Sequence, residues 1–489
     1  MTDYAPLLER AFDFLPQEDS YLIEDIEGHL PPFLRGAYYL NGPGRFWRGD
    51  LNYRHWLDGD GMVCSLKFEP GGVRFVNRFV RSVKWKDEEE AGRALYRTFG
   101  TAFEGDQLNK RGIGLESPAN VSVYDHGGTL LAFGEQGLPY RLNPQSLETL
   151  GQFTFEDRLN EVSPFSAHPK IDPGSGELFN FGISFSSLRP SLVVYRFDSQ
   201  RRLVLRKRHP LDDPCTMHDF GLSPHYTCFY ISPFLLDMSR MKEGASLMDS
   251  LRWRPGETSR LMIADRESGG QRAAIPVGEG HCLHFINLFE EDGKLHIDLV
   301  ELDEPIYQRY QVVPGLFEEV QPGRPVRFTV DTADWTVTDR RQLPYDKAPD
   351  FPSLDPRKHA QPYDDFWMLG ISATGKPGRK FFDQLVRCRW SEPELQDVYS
   401  APPGCYLGGE PVFMPDSQSE SGAVICQMFE AESRSSSFLV FDPMQVSSGP
   451  LARLKLRHPV PLLFHASFSP QGGPDWDEKA RPGDDWVPK

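Results

Sequence analysis

Short strand-like runs recur almost to the end of this chain: GTLLAFGE, SLVVYRFD, YTCFYISP, KLHIDLVEL, RFTVD, GAVICQMFE and SSSFLVFD. Turn clusters such as DPGSG, DHGG, EEDGK and PGG separate them. Runs rich in β-branched and aromatic residues, bounded by Gly, Pro and Asp, read as strands. With 43 Gly and 42 Pro among 489 residues, the chain is punctuated for turns rather than long helices. The expected class is therefore all-β: a barrel, a sandwich or a propeller. Sandwiches and small barrels seldom need this much chain. A propeller of roughly six to eight four-stranded blades does. No motif recurs blade by blade, so the blades are expected to be irregular.

Two stretches break the β pattern. Residues 1–20 read as an N-terminal helix. Residues 233–254, PFLLDMSRMKEGASLMDSLRWR, concentrate Phe234, Leu235, Leu236, Met238, Met241, Leu247, Met248 and Leu251. That segment is expected to be a packed cap over the core, an apolar lip that touches a membrane, or the lining of an entrance. The acidic run KDEEE (86–90) is expected to be a solvated face, and PDWDEKARPGDDW near the C-terminus a surface strap.

Charge and cysteine usage narrow the partners. A net charge of −17 argues against nucleic acid or an anionic membrane surface as an electrostatically attracted partner. The seven cysteines, Cys64, Cys215, Cys228, Cys282, Cys388, Cys405 and Cys426, are widely spaced and contain no CxxC pair. They form neither a disulfide framework nor a zinc ribbon, which suits a reducing cytoplasm. No signal peptide is visible at the N-terminus, and no 18-residue apolar run is present to span a bilayer.

Four of the 13 histidines occupy short apolar or turn-flanked contexts that resemble strand ends: FSAHPKID (His168), CTMHDFGLS (His218), CLHFINLFEE (His284) and LLFHASF (His465). Alternation along the strand would turn Cys282, His284 and Ile286 to one face and His281 to the other. Any one of these rings could simply be a core histidine held by a hydrogen bond. Their separations of 50, 66 and 181 residues are about one, one and three blades. Such spacing would aim one imidazole from each of four blades at a common axis.

The surrounding motifs occur together and in order: NGPG (41–44), HWLDGDGMV (55–63), SAHPKIDP (166–173), MHDF (217–220), HFINLFEEDG (284–293) and GEPVFMP (409–415). From Ile23 to Phe468 the chain resembles the carotenoid cleavage oxygenase family, its bacterial apocarotenoid-cleaving members in particular. The resemblance implies a seven-bladed β-propeller with a helical and loop dome over one face. It also implies one Fe(II) per chain on the axis, held by His168, His218, His284 and His465, with O2 as co-substrate. Neutral imidazoles suit Fe(II), and each ring needs its other nitrogen fixed by a carboxylate or carbonyl. The positions matching the family's three supporting glutamates are Glu135, Asp350 and Glu410. Asp350 departs from the pattern and, one methylene shorter, must approach more closely or act through water. Val121 stands where many members place a threonine that blocks the sixth coordination position.

The implied reaction is oxidative cleavage of one conjugated C=C bond of a carotenoid or apocarotenoid, giving two carbonyl products. Lignostilbene cleavers resemble this chain but carry a lysine for the phenolic oxygen where Gly134 stands, so an apolar polyene is expected instead. Peripheral membrane contact through Phe234, Leu235 and Leu236 and a monomeric state are expected. The alternatives are a stilbene-cleaving dioxygenase, an isomerohydrolase of retinyl-type esters, and a metal-free propeller that serves as a binding scaffold.

Overall fold

The computed structural model describes residues 2–108, 115–185, 189–307, 311 and 315–470. Seven antiparallel sheets of four or five strands form the blades of a propeller. From axis to rim, blade 1 runs His465–Ser469, Gly36–Arg45, Asp60–Glu69, Gly72–Phe79 and Asp19–Leu22. The innermost strands of blades 2 to 7 are Ser122–His126, Lys170–Ile171, Gly221–Leu222, His281–Glu291, Asp350–Ser353 and Cys405–Pro415. Each blade then meanders outward through hairpins. The seven runs singled out from their composition all fall on strands.

The ring is closed twice. The C-terminal strand His465–Ser469 pairs with Gly36–Arg45, placing His465 opposite Asn41. The early strand Ile26–Gly28 pairs with Ala452–Lys455 at the rim of blade 7. Strands from early and late in the described residues thus pair with each other in blades 1 and 7.

The buried apolar residues separate into seven clusters that follow the blade interfaces. One of them unites blade 4 residues Cys228 and Ile263 with blade 5 residues Phe285 and Leu288. Another joins blades 6 and 7 and extends into the dome, collecting Leu8, Phe12, Phe46, Trp56, Phe234 and Phe317. The dome is a layer of long connections over the ring, made coherent by aromatic edge contacts such as Trp56 with Phe381 at 5.2 Å.

Three expectations about local structure are corrected. Residues 1–20 do not form a helix: one 3-10 turn, Leu8–Ala11, is followed by the strand Asp19–Leu22. Pro6 and Pro16 bracket the turn, and Leu7 takes a left-handed conformation at φ 59°. The acidic run belongs to the helix Val83–Ala91, and Glu88 is fully buried rather than solvated. It accepts hydrogen bonds from Lys84 Nζ at 2.7 Å and from the backbone N–H of Leu95 at 3.0 Å. The segment 233–254 folds as a two-stranded ribbon, Phe234–Leu236 with Leu251–Trp253, enclosing two short helices. Phe234, Leu235 and Leu236 are all buried, so they offer no lip to a bilayer; Ser239, Arg240, Lys242, Glu243 and Arg254 are the exposed side chains there. No helix among the described residues is long and apolar enough to cross a membrane. The strap expected at PDWDEKARPGDDW lies outside the described residues.

Candidate metal centre

Four inner strands begin around the axis, and each start carries one imidazole. His168 stands two residues before Lys170–Ile171 and His218 three before Gly221–Leu222, His465 opens its strand, and His284 lies near the start of His281–Glu291. All four rings are buried, and one candidate ligand atom from each lies within 4.8 Å of the others. The ring centroids of His168 stand 4.3 Å from His218 and 4.4 Å from His465. Those of His284 stand 4.9 Å from both His218 and His465.

Three carboxylates take up the outer nitrogens. Glu135 Oε1 lies 2.9 Å from His218 Nδ1, Asp350 Oδ1 lies 2.5 Å from His284 Nδ1, and Glu410 Oε2 lies 3.3 Å from His465 Nδ1. Each carboxylate accepts, so the Nδ1 atoms carry the protons and the three Nε2 atoms keep lone pairs. His168 has no carboxylate against it among the described residues; its Nε2 lies 2.8 Å from His218 Nε2. Glu135 follows Thr129–Phe133 in blade 2, whereas Asp350 and Glu410 come from the inner strands of blades 6 and 7. The closer approach is the course Asp350 takes.

This arrangement fits a divalent transition metal. Lone pairs converging within 4.8 Å match the span of a first-row coordination shell, where opposite nitrogens at ~2.1 Å from an ion stand about 4.2 Å apart. His284 Nε2 is buried with no hydrogen-bond partner, an expense of about 1–3 kcal/mol unless a cation takes it. Burial, reinforced by the neighbouring imidazoles, holds His168 well below the ordinary histidine range. Burial also pushes His465 down to about 4, against the opposing pull of Glu410. Burial acts the same way on His284, but Asp350, with Asp219 and Glu410, carries it above the ordinary value. His168 and His465 are therefore neutral near pH 7, as ligation requires.

His281 stays outside the cluster, with its Nδ1 2.9 Å from Ser232 Oγ. Simple alternation is not the reason. The strand register shifts between Cys282 and Phe285 and again between Phe285 and Asn287. Cys282 and Phe285 consequently share one apolar cluster, while Ile286 joins another.

Two cavities flank the centre. One of about 510 Å³ is lined by His168, His284, His465 and Glu410, with Lys170 and Arg357 among its polar residues. The other, of about 330 Å³, reaches Glu135 and is walled by Phe99, Ile183, Phe185, Leu236, Met238 and Leu247. The segment 233–254 thus lines a cavity, one of the roles expected of it. No lysine or arginine lies in that wall among the described residues. A Cβ at Gly134 would stand 2.1 Å from Ser117 Oγ and 3.1 Å from the Ala119 backbone nitrogen, so a side chain at position 134 would require Ser117 to turn aside and the backbone at Ala119 to give slightly. The Val121 carbonyl accepts the His465 N–H at 3.2 Å, and the Val121 side chain packs with Leu131, Phe133 and Phe165.

The sequence reading passed over buried polar residues that tie neighbouring blades together. Asn41 Nδ2 donates to the carbonyls of Ala119 at 3.0 Å and Ser122 at 2.8 Å, and the Ser122 hydroxyl bonds the Ala167 carbonyl beside His168. Asn41 opens the motif NGPG, and Ser122 follows Val121 directly.

The retinal pigment epithelial membrane protein family model matches residues 12–470. The chain is 31% identical to apocarotenoid-15,15'-oxygenase of Synechocystis over 94% of its own length and 95% of that protein's. It is 27% identical to lignostilbene-alpha,beta-dioxygenase isozyme III of Sphingomonas paucimobilis, covering 90% of this chain and 92% of the relative. A solved structure of cobalt-substituted Synechocystis apocarotenoid oxygenase superposes with a TM-score of 0.86 at 28% identity, covering 96% of this chain and 100% of that one. With the matching fold and the buried cluster of four histidines, these similarities show that the chain belongs to the retinal pigment epithelial membrane protein family, the carotenoid cleavage oxygenases.

Proposed function

We propose that this protein is a non-haem Fe(II) dioxygenase that cleaves one conjugated C=C bond of a carotenoid or apocarotenoid, both atoms of O2 ending in the two carbonyl products. The observation that carries this reading is the buried cluster of His168, His218, His284 and His465, with a carboxylate behind three of the rings. Fe(II) held by these imidazoles supplies the binding and activation of O2. The chain's own residues orient the reaction. Glu135, Asp350 and Glu410 hold the Nδ1 protons and keep each Nε2 turned inward. In this reading Val121, whose carbonyl accepts the His465 N–H, would take the blocking role of the family's threonine.

The apolar wall of the smaller cavity supports a polyene rather than a phenol. A phenolic oxygen would find no cationic partner in that wall, and position 134 cannot supply one. The mouth of this cavity, where Phe185, Met238 and Leu247 are half-buried, is where we place uptake of a lipid-borne substrate and any peripheral membrane contact. Seven buried, unpaired cysteines support a reducing, cytoplasmic setting.

The test is aerobic incubation of Fe(II)-loaded protein with a C40 carotene, a set of apocarotenals and a 4-hydroxystilbene, resolved by chromatography and mass spectrometry. A pair of carbonyl fragments from an apocarotenal or carotene is expected, with label from 18O2 in both. Cleavage of the stilbene alone would overturn the substrate assignment, and failure to bind iron would support a scaffold instead.

A further inference from the structure

The motifs SAHPKIDP and MHDF each carry a charged residue that the proposed reaction leaves without a role: Lys170 and Asp219. The structure joins them. Lys170 Nζ lies 2.7 Å from Asp219 Oδ1, and the Asp219 side chain is only 2% exposed. The same Oδ1 accepts the Phe220 N–H at 2.8 Å, while Oδ2 accepts the Phe285 N–H at 2.8 Å.

These partners share one property. Lys170 is two residues from His168, Asp219 follows His218 directly, and Phe285 follows His284 directly. One carboxylate therefore ties together the strand starts of blades 3, 4 and 5, each of which presents an imidazole. Between blades 4 and 5 the approach is close: a Cβ at Gly221 would stand 3.0 Å from Leu288 Cβ and 3.1 Å from Phe285 Cδ1. The irregular register around Phe285 accompanies the use of its N–H by a neighbouring blade. None of the three carboxylates that touch the imidazole rings performs this task, since each reaches one ring from outside.

We propose that Asp219 is a positioning residue of the metal centre, setting the mutual placement of His168, His218 and His284 through Lys170 and the Phe285 backbone. The inference rests on the metal reading of the site. An amide at position 219 would present a donor to a donor, either the Phe285 N–H or the Lys170 ammonium, and would loosen that placement without touching a ligand.

Co(II) is the probe, because its visible absorption reports coordination geometry as well as occupancy. The full chain would be titrated with Co(II) alongside Asp219→Asn, Lys170→Met and a control, Asp298→Asn. Asp298 is as buried and pairs with Arg327 Nε at 2.7 Å and Tyr363 at 2.6 Å, away from the centre. Asp219→Asn is expected to weaken Co(II) binding about 10- to 100-fold and to alter the visible band. Asp298→Asn is expected to lower the thermal midpoint yet bind Co(II) within twofold of the parent. Lys170→Met, which leaves both N–H bonds of Asp219 intact, is expected to weaken binding by a smaller factor and serves if Asp219→Asn does not fold. Parent-like affinity and spectrum in the folded position-219 variant, or in Lys170→Met where that variant does not fold, would overturn the proposal. So would an equal loss in the control. A parent that binds no Co(II) would instead overturn the metal reading, and this inference with it.

Discussion

His284 Nδ1 and Asp350 Oδ1 stand 2.5 Å apart, both side chains buried, in the shortest of the three imidazole–carboxylate contacts around the axis. An aspartate manages this because the backbone comes to meet the ring. Phe351 adopts φ 54°, the blade 6 register shifts between Asp350 and Ser353, and the carboxylate also accepts the Phe351 N–H at 2.9 Å. A left-handed phenylalanine costs of order 1–2 kcal/mol, which the surrounding packing must offset.

Asp350→Glu should therefore be harmful here. At this separation and burial the added methylene has no space, and about 1–3 kcal/mol of stability should be lost to overpacking. Asp350→Asn keeps the volume but removes the charge, and should weaken metal binding about 10-fold or more with a smaller change in stability. Denaturant unfolding and metal titration on both variants separate the two effects. Equal stability and affinity in Asp350→Glu would mean the contact is not tight.

Position 134 gives a second, independent check. Gly134→Ala should cost about 1–3 kcal/mol, because the new methyl meets Ser117 Oγ and the Ala119 backbone. Adding Ser117→Gly should return most of the loss, giving a coupling of roughly 1 kcal/mol or more in a double-mutant cycle. Additive effects of the two changes would show that the clash is relieved elsewhere.

Acid stability should depend on Asp60. This carboxylate is fully buried, 2.9 Å from Lys84 Nζ and 2.8 Å from Arg48 Nη2. Burial raises its pKa, but Lys84 and Arg48 together hold it below the ordinary value. A carboxyl with a depressed folded pKa contributes stability that is full above its unfolded pKa of about 3.9 and is lost as pH falls through the folded value. Asp60→Asn should cost about 3–5 kcal/mol near neutrality, since it leaves two buried cations, Lys84 and Arg48, with Glu88 as the one buried carboxylate they share. Its stability should then fall less steeply than the parent's below about pH 4, measured by urea unfolding across pH. A parallel acid limb in the two proteins would refute the assignment.

Phe234 is a packing residue rather than a membrane contact. It is 2% exposed, and its ring stacks on Tyr307 at 6.0 Å. Phe234→Ala should lower stability by about 3–5 kcal/mol and leave liposome association per folded molecule unchanged. Loss of liposome binding at full stability would return the segment to the surface.

Much of the site was legible because its chemistry is local in sequence. His168, His218, His284 and Glu410 sit in short ordered motifs, and Glu135 and His465 in the short runs GTLLAFGE and LLFHASF, so the family pattern locates them without coordinates. Strand content was legible for the same reason: alternation and turn residues act over a few positions. Residues 1–20 misled because helical pattern is a weak signal beside tertiary pairing: Asp19 is matched with Asn77 in blade 1, whose side-chain oxygen also takes the Asp19 N–H at 2.7 Å. Phe234–Leu236 misled because an apolar run reads alike whether it faces lipid or the underside of a dome.

What the sequence alone determined is the class of the fold and the identity of the residues able to hold a metal, since residue type and short-range order suffice for both. What only the tertiary structure decided is distance: that Asp350 reaches His284 directly, that Ser117 stands against position 134, and that Asp219 spans three blades. Those relationships join residues well separated along the chain, and they exist only once the ring has closed and the packing of each blade against the next has set where the backbone lies.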